Sequence, residues 1–223
     1  VEAGRPALRL ELSMPLIVVG GTNGKGSVCG LIEAMLRAAG YRTGLYTSPH
    51  LLRYNERIRI DGVEAADALL IEAFERIDRA RGDISLTYFE FGTLAAALVL
   101  ADAGLDAAVL EVGLGGRLDA VNVFDGDCAV LTSVDLDHMS YLGSTREAIG
   151  YEKAGIFRAG RPAICAEPDP PQSVLAQAAE RGARLLRIGH DFGYVPEPRQ
   201  WRHWGGGAHR QRVWTVRCLT GRS

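Results

Sequence analysis

PLIVVGGTNGKGS, residues 15–27, decides how the rest of the chain is read. Pro15–Gly20 is a short apolar run ending in glycine, the pattern of a buried strand. A helical pattern follows from about Gly26 to Ala39, with Gly40 as its C-cap. The junction is Gly20-Gly21-Thr22-Asn23-Gly24-Lys25-Gly26-Ser27. Glycines let backbone N–H groups turn toward an anion, and a helix start adds positive potential. The segment therefore predicts a phosphate cradle in which Lys25 reaches the outer phosphates. It departs from G-x-x-x-x-G-K-[ST], because Val19 stands at the first glycine position and Gly26 separates Lys25 from Ser27. The bland alternative is a glycine-rich turn carrying an exposed lysine.

Outward from that junction, strand and helix signals alternate. Thr43–Thr47 reads as a strand and Ala65–Arg81 as an amphipathic helix. Thr87-x-x-Glu90 has capping-box spacing and opens an apolar helix to about Ala103. Asp106–Val112 and Cys128–Val134 read as strands. Ser144-x-x-Glu147 is a second capping box, opening a helix to about Ile156. Pro162–Cys165, Pro171–Arg181 and Arg184–Ile188 give strand, helix and strand. The alternation predicts an α/β fold, a mostly parallel sheet with helices on both faces.

The chain has 223 residues, 47% apolar and 23% charged, which excludes a wholly disordered or collagen-like chain. Its longest uncharged apolar stretch, Leu94–Ala101, is too short to span a bilayer, and the N-terminus has no apolar signal region. Cys29, Cys128, Cys165 and Cys218 form no CxxC and no Cys/His cluster, so they read as reduced thiols of a cytoplasmic protein. Residues 196–223 carry a formal +5, leaving −7 on the remainder. This tail also holds Trp201, Trp204 and Trp214, and shows neither helical nor strand periodicity. The expected organisation is one domain over 1–195 and a divergent Arg/Trp/Gly-rich tail over 196–223. Of 25 basic residues only Lys25 and Lys153 are lysine. Codon bias explains the arginines, but a desolvated lysine can lose its proton and an arginine cannot.

Ligands of open α/β sheets bind beyond the carboxyl ends of the strands. Four strands deliver Lys25, Ser48, Glu111 and His138 to that edge. Hydroxyl, carboxylate and imidazole together can hold a divalent ion that also binds substrate phosphates. Taken singly, Ser48 could be a turn residue and His138 a structural histidine. Glu111 ends a run as apolar as Ala107–Leu110 and needs a partner. Lys153, in the helix after His138, could be an ordinary solvated lysine, or an amine depressed enough to react with CO2.

With these residues together, the chain resembles the folylpolyglutamate synthase/dihydrofolate synthase family of the Mur ligase superfamily. The matching segments are GTNGKGS (21–27), YTSPHL (46–51), RYNERIR (53–59), TYFE (87–90), EVGLGGRLDA (111–120), DHxxxLG (137–143) and EKAGI (152–156). The resemblance implies a cytoplasmic ATP- and Mg2+-dependent ligase of folate biosynthesis. Such an enzyme phosphorylates the carboxylate of dihydropteroate or a folate, and L-glutamate then displaces the phosphate to form an amide. It implies ATP contacts at Thr22, Asn23, Gly24, Lys25, Gly26 and Ser27, and metal ligation by Ser48, Glu111, His138 and a carbamylated Lys153. Lys25, Lys153 and His138 become the catalytic residues. Thr87, Tyr88, Phe89 and Glu90, with Leu118, Asp119 and Ala120, become the acceptor site. The implied partners are small molecules, with no nucleic acid or membrane and a monomeric state.

The family is about twice this length. The expectation is that its C-terminal domain is absent here, that the N-terminal segment is shortened, and that the tail comes from a shifted reading frame. The competing functional reading is therefore an inactive remnant that at most binds nucleotide. A third reading makes the basic tail a nucleic-acid contact, against an acidic body that lacks a matching module.

Overall fold

A computed structural model describes residues 10–198, 200–205 and 214–217. In chain order the main elements begin with β1 (Leu16–Gly20), α1 (Lys25–Ala38), β2 (Thr43–Tyr46), β3 (Ile58–Ile60), β4 (Val63–Glu64), α2 (Asp67–Arg81) and α3 (Tyr88–Ala101). They continue with β5 (Ala107–Glu111), β6 (Cys128–Leu131), α4 (Met139–Leu142), α5 (Arg146–Lys153), β7 (Pro162–Cys165), α6 (Gln172–Glu180) and β8 (Arg184–Arg187). The last strands are β9 (Phe192–Glu197), β10 (Gln200–Gly205) and β11 (Trp214–Arg217).

An eight-stranded sheet runs β4-β3-β2-β5-β1-β6-β7-β8. The six strands from β2 to β8 in that order pair in parallel, while β3 and β4 form an antiparallel edge that the sequence patterning did not reveal. Side-chain alternation in β1 splits the apolar residues between two cores. Leu16 and Val18 join the larger core with α2, α3, α5 and α6, whereas Val19 packs with Cys29 of α1, Leu45 and Val109 on the other face. Helices thus cover both faces, unequally. β1 is central, with β5 on one side and β6 on the other, so chain connections diverge there and leave a crevice at the carboxyl ends.

Two readings need correction. Ser144 does not cap α5; the N-cap is Thr145, whose side chain accepts from the Ala148 N–H. Glu147 instead accepts from the Gln172 and Ser173 N–H groups at 3.0 and 2.8 Å, at the start of α6. The tail also contains regular structure, since β9, β10 and β11 form an antiparallel three-stranded sheet. The 195/196 boundary falls inside β9. Cys218 lies outside the described residues.

Candidate functional site

The phosphate loop leaves β1 at Gly20 and is fastened to the segment after β6. The Thr22 N–H donates to the Ser133 carbonyl at 2.9 Å, and the Asn23 N–H to Ser133 Oγ at 3.0 Å. The Thr22 hydroxyl donates to the Asp135 carbonyl and accepts from the Asp135 N–H, at 3.2 and 3.0 Å. Gly21 is required sterically: its φ is +146°, and a Cβ there would lie 1.9 Å from Thr132 Oγ1. Gly24, with φ 80°, turns the chain into α1 at Lys25, and Gly26 and Ser27 lie exposed in the first turn. Lys25 folds back over its own loop, donating from Nζ to the Gly21 and Thr22 carbonyls at 3.0 and 3.2 Å.

Glu111 meets this loop from the end of β5. It is only 4% exposed, and a Cβ on Gly26 would lie 3.7 Å from either of its carboxylate oxygens. Its required partner is the backbone of Ser48, whose N–H donates to Oε2 at 3.0 Å. Burial pushes the Glu111 carboxyl up, while the Ser48 N–H and the Lys25 charge pull it down. Lys153, at the end of α5, is 3% exposed. Burial and then the Lys25 charge push its amine down to about 8, with Asp137 opposing. The structure therefore brings Lys25, Ser48, Glu111 and Lys153 into one electrostatic group. His138 has a left-handed backbone at the start of α4, and its exposed ring lies 3.6 Å from Asp137, whose charge also acts on Lys153.

Beside the loop lies a cleft of about 450 Å3. Thr87, Phe89 and Glu90 line it from α3, and Leu118, Asp119 and Ala120 from the glycine-rich segment after β5. Tyr88 does not line it; its ring lies 5.5 Å from the Arg57 guanidinium. Glu90 closes the capping box of α3, accepting from the Thr87 N–H and hydroxyl, both at 2.8 Å. Asp119 accepts from the Leu114 and Val121 N–H groups at 2.9 Å each. Its carboxyl is pushed up to about 6 by burial, against those backbone donors.

Sequence reading missed the far wall, formed by Arg117, Tyr141 and Glu152. Arg117 pairs with Glu152 at 2.9 Å, and Gly116 lets the backbones meet, since a Cβ there would lie 2.6 Å from the Glu152 carbonyl. The run Gly113–Gly116 was the available signal for this close approach; nothing local marked Tyr141, which arrives from a different connection.

The Mur ligase middle domain matches residues 19–202. The chain is 50% identical over 198 residues to the dihydrofolate synthase/folylpolyglutamate synthase of Escherichia coli K12, covering 87% of this chain and 47% of that protein. Against the folylpolyglutamate synthase of Lacticaseibacillus casei, identity is 42% over 185 residues, with 79% and 43% covered. The structure of E. coli FolC in complex with DHPP and ADP superimposes with a TM-score of 0.92 at 47% identity, covering 96% of this chain and 51% of that one. The Yersinia pestis bifunctional enzyme complexed with AMPPNP and Mn ion gives 0.89 at 48% identity, covering 99% and 52%. The chain thus spans about half the length of these relatives. With its parallel sheet, phosphate loop and matched middle domain, the chain belongs to the Mur ligase family, in its folylpolyglutamate synthase/dihydrofolate synthase branch.

Proposed function

We propose that this chain supplies the nucleotide-binding and acceptor-binding part of an ATP-dependent ligase. The reaction adds L-glutamate to dihydropteroate, to folyl-polyglutamates, or to both, through an acyl phosphate. The observation that carries this reading is the adjacency of the Lys25–Glu111–Lys153 group to a cleft walled by Thr87, Phe89, Glu90 and residues 114–120, where the Lys25 charge acts on Asp119. Phosphoryl transfer depends on positioning and on neutralising charge more than on covalent work by the protein. In this proposal the N–H groups of Thr22–Ser27 hold the ATP phosphates. Lys25 exchanges two loop carbonyls for phosphate oxygens. Residues through about 195 form the nucleotide-binding domain, and the protein works as a cytoplasmic monomer on small molecules.

The donor set fits magnesium. Glu111 and Ser48 are in place, with His138 nearby in sequence to Asp137, and no group of three His, Cys, Asp or Glu converges among the described residues. An ion held by so few side chains takes its other ligands from phosphate oxygens and water. Bound there, Mg2+ would supply neutralisation of the transferring phosphate. The depressed Lys153 amine presents a neutral fraction that can add CO2, with loss of a proton, to give a carbamate as a further acidic ligand.

The test is differential scanning of the chain with Mg-ATP, followed by ADP release with dihydropteroate and glutamate. Mg-ATP should raise the melting temperature of wild type, and Lys25→Ala should weaken nucleotide affinity roughly a hundredfold by removing a charge-assisted contact. ADP release by the chain alone would exclude the remnant reading. Equal or absent shifts in both proteins would overturn the nucleotide site.

A further inference from the structure

Three consecutive residues beyond the end of β6 divide two tasks. Ser133 and Asp135 hold the phosphate loop: the Ser133 carbonyl and Oγ accept from the Thr22 and Asn23 N–H groups, and both backbone groups of Asp135 bind the Thr22 hydroxyl. Val134, between them, is held from elsewhere. Its side chain lies in the larger core. Its N–H donates to Glu167 Oε2 and its carbonyl accepts from Arg146 Nε, both at 2.9 Å. Val134 lies past the last residue of β6, so no strand ladder satisfies these two groups, and a buried backbone group left unpaired is unfavourable.

Arg146 and Glu167 also pair with each other at 3.4 Å, and the Glu167 side chain is only 13% exposed. The same two side chains grip the connection after β7. Arg146 Nη2 donates to the Asp169 carbonyl at 2.8 Å, and the Asp169 N–H donates to Glu167 Oε1 at 3.2 Å. Each charged group therefore serves one backbone group of Val134 and one of Asp169. Together they clamp the segments that follow β6 and β7 at the edge where the phosphate loop lies. Arg146 does this from an electrostatically poor place. It is the first residue of α5, where the helix dipole disfavours a cation. A local rule broken without benefit to the helix points to a task outside it. A guanidinium suits that task, because its rigid fork reaches two carbonyls and a carboxylate at once.

We propose that Arg146 is a positioning residue for the nucleotide, a role that rests on the nucleotide site proposed above. With Glu167 it fixes Val134, and through Ser133 and Asp135 it holds the phosphate loop in its binding shape. The effect is non-covalent and indirect: Arg146 acts on the loop through the backbone of residues 133–135.

The experiment is calorimetric titration of the full chain with Mg-AMPPNP, well below the melting temperature of each variant. Wild type, Arg146→Met, Arg146→Lys and Thr22→Val are compared with the two double variants that combine Thr22→Val with each Arg146 substitution. Folding is checked by circular dichroism. Arg146→Met should weaken Mg-AMPPNP binding by about tenfold, and Arg146→Lys by less. Because Arg146 acts in part through the Thr22 hydroxyl, the loss in the double variant should fall well short of the product of the two single losses. Unchanged affinity in Arg146→Met, whatever its melting temperature, would make the clamp purely structural; that overturns the proposal and leaves the nucleotide site standing. Losses that multiply independently overturn it too. No binding of Mg-AMPPNP to wild type overturns the nucleotide reading itself, and this proposal with it. If Arg146→Met does not fold, Arg146→Lys and its double variant decide by the same comparison.

Discussion

The two halves of the site treat their charges in opposite ways. On the phosphate half, Glu111 is buried with one backbone donor, and Lys153 is buried facing the charge of Lys25. On the acceptor half, Glu90 and Asp119 are occupied by the backbone they organise. The first half holds charge that a ligand would complete; the second uses charge to shape a wall. A carboxylate in a binding segment is thus not a reader of substrate by default. Here Glu90 and Asp119 bind backbone N–H groups of their own segments and line the cleft at the same time.

The largest effect should come from breaking the phosphate half alone. In Gly21→Ala the new methyl would sit 1.9 Å from Thr132 Oγ1 at a φ of +146°. The loop must then detach from Thr132 and Ser133, at a cost of about 2–4 kcal/mol. Thermal unfolding should show that loss together with disappearance of the Mg-ATP shift. The acceptor half is walled by other segments, so pteroate binding should persist. Loss of both activities together would mean that the halves are one cooperative unit.

How much of this was legible in the sequence follows the same division. The phosphate loop was readable because its chemistry is local: strand, glycines, lysine and helix are contiguous. Glu111 was readable because a carboxylate after Ala107–Leu110 demands a partner. That its partner would be a backbone N–H at Ser48 was not, since it depends on how the segment after β2 turns beside β5. The far wall was hidden for the same reason: Arg117 and Glu152 are joined by tertiary packing, and the glycines before Arg117 mark a close approach without naming its partner. The antiparallel β3–β4 edge was missed because two- and three-residue strands give too few positions for alternation to register. Gly193 and Pro196 interrupt the period of β9, and in β10 the two tryptophans stand three residues apart, off the strand period.

The pH dependence sharpens the contrast between the halves. The Asp119 carboxyl is raised from 3.8 to about 6, so the native state binds the additional proton. Its contribution to stability is full below pH 3.8 and is lost as pH rises through about 6. Lys153 has the opposite displacement, from 10.5 down to about 8. Its buried charge destabilises the fold below pH 8, and that penalty is relieved as pH rises from about 8 to 10.5. The melting-temperature difference between wild type and Asp119→Asn should therefore change across pH 4–6, and that between wild type and Lys153→Met across pH 8–10. A change in only one window would mean that only one half carries a perturbed group.

The smallest effect separates two segments of the same sequence pattern. Thr87-x-x-Glu90 closes on itself: the Glu90 N–H donates to Thr87 Oγ1 at 3.2 Å, and the Thr87 N–H donates to the Glu90 carboxylate. Thr87→Ala removes this acceptor at the start of α3, which should lower stability by about 1 kcal/mol. Ser144 caps nothing, because Thr145 occupies the N-cap and Glu147 serves α6 instead. Ser144→Ala should therefore be neutral within about 0.5 kcal/mol, as an exposed substitution away from any cap. Urea unfolding of the two variants measures the difference directly. Equal losses would mean that the spacing alone sets the energy. A loss confined to Thr87→Ala would show that the spacing identifies a helix start, while the placement of the next helix decides which residue caps it.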